Sequence, residues 1–122
     1  MATEQNGFKL GSEVAAADLS GSQFRAVRVT STGINLPAAG GAIDGFLQNK
    51  PESGKVCSVA VDGVSKCVAS AALAKGAEVS VDATGKVQAA ASGHYIVGKL
   101  LEASSADGDI VSVLITRPGR LA

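Results

Sequence analysis

The sequence predicts a mainly β protein, a small antiparallel β-barrel or sandwich of hairpins with an extended N-terminal arm. Its 122 residues are enough for one hydrophobic core and too few for a second domain. From Gln23 onward, short β-branched runs alternate with Gly, Asn, Asp and Pro, the spacing expected of short strands joined by tight connections. Several connections carry explicit turn chemistry. Asp62-Gly63, Asp82-Ala83-Thr84-Gly85 and Asp107-Gly108 each supply a glycine for the positive φ of a hairpin loop.

In chain order, residues 1–21 read as the arm. They are rich in Ala, Ser, Gly and acidic residues, with only Phe8, Leu10, Val14 and Leu19 as apolar anchors. Such a segment either stays disordered or orders on a partner. Residues 22–122 form the β domain. Its strands are expected at Phe24–Thr30, Ala42–Leu47, Lys55–Val61, Val64–Val68, Glu78–Val81, Lys86–Ala89, Tyr95–Leu101 and Ile110–Thr116. The loop Leu36-Pro-Ala-Ala-Gly-Gly41 has no bulky or charged side chain, so it is a close-packed crossing or a contact loop. Ala69 to Ala74 is too short to stand as a helix and serves as a connector.

A hairpin closed by Asp62-Gly63 sets Val61 against Val64, Val59 against Lys66 and Cys57 against Val68. Cross-strand partners share a sheet face, so Cys57 and Cys67 point to opposite faces and do not form a disulfide. Two free thiols fit a reducing cytoplasm.

Composition narrows the function. Aromatics are 3% of a chain that is 46% hydrophobic, so the core is built from Val, Ala, Leu and Ile and is thin, and oligomerisation or docking would add burial. Eleven basic and eleven acidic residues cancel, which removes the field expected of a nucleic-acid-binding protein. Apolar runs such as Ile110–Ile115 are far shorter than the roughly 20 residues of a membrane span. The polar start, Met1 to Gly7, lacks the pattern of a secretory signal.

The search for catalytic or ligand chemistry returns no site residues. His94 is the only histidine, and no Gly-x-Ser-x-Gly nucleophile elbow accompanies it. Two cysteines and one histidine without close spacing do not make a zinc site. Asp107-Gly108-Asp109 lacks the distal oxygen ligands of a calcium loop and reads as a turn. Gly40-Gly41 is not followed by a phosphate-binding helix start. Lys86 follows the Asp82–Gly85 turn and resembles only faintly the modified lysine of a carrier module. Arg117-Pro118-Gly119-Arg120 reads as a solvated tail. The expectation is therefore no enzyme, no cofactor and no metal. A cytoplasmic β domain that binds a small ligand or carries a prosthetic group is the alternative.

The order of several pieces carries a family resemblance. They are Phe24-Arg-Ala-Val-Arg-Val-Thr30, Leu36 to Pro51, Val59-Ala-Val-Asp-Gly-Val-Ser-Lys-Cys-Val68, Gly76 to Gly85, Tyr95 to Ser104 and Asp107 to Thr116. In this order the chain resembles the small capsid decoration, or cement, proteins of tailed bacteriophages. The resemblance implies a structural protein without an active site, made in the bacterial host cytoplasm. It would bind the outer surface of the assembled capsid, bridge major capsid protein subunits and stabilise the shell. It further implies a homo-oligomer, a trimer favoured over a dimer, with neither nucleic acid nor membrane as partner.

Overall fold

The computed structural model describes residues 9–116. The described strands are β1 (Lys9–Leu10), β2 (Ala26–Thr30), β3 (Gly33–Asn35), β4 (Gly45–Leu47), β5 (Val59–Ala60), β6 (Val64–Val68), β7 (Glu78–Val81), β8 (Val87–Ala89), β9 (Gly98–Leu100) and β10 (Ile110–Ile115). They form two antiparallel sheets, with no helix among the described residues. Sheet I has the order β1-β5-β4-β2-β3 and sheet II the order β6-β10-β9-β7-β8. Neither closes, and the fold is sandwich-like.

Sheet I is apolar on both faces. Ala26, Phe46 and Ala60 are cross-strand partners and belong to the first core, with Cys67, Val79, Val81, Val87, Leu100, Val111 and Val113 of sheet II. Their sequence neighbours Val27, Leu47 and Val59 point the other way, into a second core with Ala15, Leu19, Ile34, Cys57 and Val61. Alternation of side chains along a strand makes this division automatic. It explains why Gly45-Phe46-Leu47 is buried without interruption, whereas the pattern on a half-exposed strand alternates.

The second core is covered by the chain's own N-terminal part. Residues 14–16 stand between β3 and residues 55–57. The Ile34 N–H donates to the Val14 carbonyl at 2.8 Å, and the Ala16 N–H to the Ile34 carbonyl at 3.0 Å. On the other side the Ala15 N–H donates to the Lys55 carbonyl at 2.9 Å and the Cys57 N–H to the Glu13 carbonyl at 2.8 Å. Ala15 and Leu19 are buried. Residues 13–19 of the expected arm thus lie against the β domain; residues 1–8 lie outside the described residues. The segment gives up one anchor at a time to a core instead of a continuous face, so no periodicity marks it.

A correction concerns Asp62-Gly63. Gly63 has φ +78°, as a tight turn requires, but β5 pairs with β1 and β4 while β6 pairs with β10. The turn carries the chain from one sheet to the other. Both edges of β5 are taken, by β1 and β4, so β6 finds its partner in β10. Cys57 and Cys67 are nonetheless free and buried, separated by sheet I and not by the faces of one hairpin.

Asp82–Gly85 is the expected hairpin turn between β7 and β8. The Asp82 Oδ1 accepts from the Thr84 N–H, the Thr84 hydroxyl and the Lys86 N–H at 2.7–3.0 Å. Asp107-Gly108 lies in the connection between the antiparallel neighbours β9 and β10. Consecutive strands also pair at β2–β3 and β4–β5. Phe24 links the sheets, donating its N–H to the Leu47 carbonyl at 2.7 Å and accepting from the Val68 N–H at 3.2 Å. It does so at φ +65°, a conformation that costs a non-glycine residue about 1–2 kcal/mol.

Candidate functional site

The only histidine meets a serine. His94 Nδ1 lies 2.9 Å from the Ser80 hydroxyl, and the Ala91 N–H points at the same nitrogen from 3.4 Å. A backbone N–H can only donate, so Nδ1 accepts both bonds and the Ser80 hydroxyl donates. The Gln88 amide donates to Ser80 Oγ at 3.4 Å. Ser80 is fully buried, and none of these partners is a carboxylate. The cluster ties Ala91–His94 to β7, and its groups satisfy one another.

The same histidine forms the floor of the Leu36–Gly41 loop. The Gly40 N–H donates to the Val81 carbonyl at 2.7 Å, and its carbonyl accepts from the Tyr95 N–H at 2.9 Å. Gly40 has φ +69°, and a Cβ there would stand 2.5 Å from His94 Cδ2. Between the two expectations for this loop, the close-packed crossing is the one found.

The remaining candidates are committed to the scaffold. The Lys86 ammonium is 2.9 Å from the Asp107 carboxylate, joining two connections, whereas a carrier lysine projects from a hairpin tip. Asp109 Oδ2 accepts from the Ser105 hydroxyl at 2.7 Å, the Ser105 N–H at 2.8 Å and the Ala106 N–H at 3.1 Å. These bonds favour the ionised form and hold the carboxyl below its ordinary value. Among the described residues no group of three or more His, Cys, Asp or Glu converges as metal ligands. Burial, with the charge of Glu102 in second place, pushes the Cys67 thiol up to about 12, so it is not a nucleophile near neutral pH.

Six large apolar side chains among the described residues are exposed, and two groups of them lie together. Val14 and Val56, partners in an isolated antiparallel bridge, form one exposed pair. Leu101, Ile110 and Leu114 form another exposed group, on the side of sheet II turned away from the first core. The sequence search for chemistry passed over these residues. Their signal was the parity of Ile110-Val-Ser-Val-Leu-Ile115, in which Ile110, Ser112 and Leu114 share one face.

The comparisons with known proteins agree with this picture of a scaffold. No curated protein matches the chain. Among solved structures, the N base of the head fibre protein gp8.5 of bacteriophage phi29 superposes with a TM-score of 0.71. The match covers 90% of this chain and 96% of that one at 13% identity, a likeness of fold. The family of phage cement proteins matches residues 13–115, which takes in both cores and the N-terminal cover of the second. A chain whose polar clusters are spent on its own loops, matched over residues 13–115, belongs to the phage cement proteins, structural proteins of the phage capsid.

Proposed function

We infer that the protein binds the outer surface of an assembled phage shell and stabilises it by bridging neighbouring major capsid protein subunits, without catalysing a reaction. The family match over residues 13–115 carries this reading. The physical character of the domain supports it. Charge is balanced, the polar groups of the clusters are paired with one another, and exposed side chains on two separate patches are apolar. A staple of this kind gains strength from several weak contacts made at once, each later one benefiting from high effective concentration. A homo-oligomer, with a trimer favoured, would multiply those contacts.

The test is co-sedimentation of the purified protein with expanded shells of its own phage that lack it, followed by a count of copies per shell. Saturable binding at fixed stoichiometry is expected, with the ratio revealing the symmetry position. Shells that sediment bare at saturating protein would refute the reading.

A further inference from the structure

Three features decide where a partner can sit. The first is that the chain's own backbone lies along part of the sheet edges. The edge strand β8 carries Ala69 and Ser70, with the Ser70 N–H bonded to the Val87 carbonyl at 2.9 Å. The edge strand β3 carries residues 14–16, and β6 is held at Val68 by Phe24. Strand addition at β8 or β3 would first have to displace the chain's own backbone, which favours docking on a face there.

The second feature is the arrangement on the outer face of sheet II. Leu100 pairs with Val113 in register, and the Leu101 N–H donates to the Ser112 carbonyl at 2.9 Å. Leu101 is thus opposite Ser112 and diagonal to both Ile110 and Leu114, at roughly 7–8 Å. The three residues surround Ser112 and are 37%, 48% and 38% exposed. Ser112 itself is buried, its N–H and hydroxyl both donating to Glu102 Oε1 at 3.0 and 3.2 Å. An apolar triangle stands around a polar centre whose hydrogen bonds are already made.

The third feature selects the partner. Around the triangle lie Lys66, Lys99, Glu78 and Glu102, charges of both signs. An apolar centre inside a mixed polar rim suits a protein surface and does not suit a polyanion such as nucleic acid, which favours one sign. Five strands at about 4.8 Å spacing and about 3.4 Å per residue give this face a plan area of roughly 400 Å². That is about half of the ~800 Å² per partner of a stable free complex. A face of this extent suits one of several contacts made at once on a lattice.

We propose that the outer face of sheet II, centred on Leu101, Ile110 and Leu114, is the surface that seats this protein on the capsid shell protein. The inference rests on the shell-binding reading above, and its test separates the two. Wild type, Ile110→Asp/Leu114→Asp and, as a control on the other apolar patch, Val56→Asp are sedimented with decoration-free shells of the same phage. The substituted side chains are exposed, and thermal melts check that each variant folds; Leu101→Lys is the second variant should the pair fail to fold.

The expected result is saturable binding by wild type and Val56→Asp, with at least a tenfold loss for the face variants. Equal binding by wild type and the face variants overturns the assignment of the face while leaving shell binding intact. No binding by wild type removes shell binding itself and the inference with it. A free protein that sediments as an oligomer, and becomes monomeric on Ile110→Asp/Leu114→Asp, assigns the face to a second copy and also overturns the proposal.

Discussion

Gly40 shows how a residue with no side chain can hold two loops in place. Its backbone bonds bind the Leu36–Gly41 loop to Val81 and Tyr95, and that approach is possible because Gly40 has no Cβ, whose place is taken by the His94 ring. Gly40→Val combines a left-handed backbone with a steric clash, and an expected loss of about 2–3 kcal/mol would appear in chemical denaturation. Pairing it with His94→Ala should recover part of the loss, because the second change removes the obstructing ring. Asp109 is the other residue whose role can be read through its bonds. Its pKa is lowered, so its contribution to the Ser105–Asp109 loop is present above the ordinary carboxylate value of 3.8 and is lost as pH falls through the lower folded value. Protection of the Ser105 and Ala106 amides, taken relative to their intrinsic exchange rates, should fall in that acid range, and Asp109→Asn should lower it at neutral pH.

At the scale of elements, the N-terminal cover is the part with the clearest energetic consequence. Leu19 is 3% exposed in the second core, and Leu19→Ala should cost about 2–4 kcal/mol, measured by urea unfolding; a dispensable arm would leave the midpoint where it was. The β domain was legible in the sequence where strands obey simple rules. Val64–Val68 and Glu78–Val81 are found with the expected bounds, because β-branched runs ended by turn residues signal strands locally. β1 and β3 were not legible, being two and three residues long and stabilised by neighbours distant in sequence. Asp62-Gly63 announced a reversal truthfully but not its partner, since β1 and β4 already flank β5 on both edges. The apolar triangle on sheet II was visible only as parity in Ile110–Ile115, and parity acquires meaning once the core side is known.

The whole molecule has two apolar interiors that share a wall. Cys57 lies in one and Cys67 in the other, so the native thiols serve as reporters on each side. Because sheet I supplies side chains to both, the two interiors are expected to open together. Thiol labelling in mild denaturant should therefore modify Cys57 and Cys67 at one common rate, and a markedly earlier reaction of Cys57 would show that the second interior opens by itself.

The wall between the interiors raises a question of address. In most strands a slip of one residue is punished because it turns greasy side chains toward water. For Gly45-Phe46-Leu47 that penalty is absent, since a slip would merely send Phe46 and Leu47 into each other's rooms, both dry. Something other than polarity must fix the count, and Gly45 does so. A Cβ at this position would run into the Ala60 carbonyl and the Val59 side chain, so only the residue without one can occupy the place beside β5. The smallest residue of the strand is its index mark.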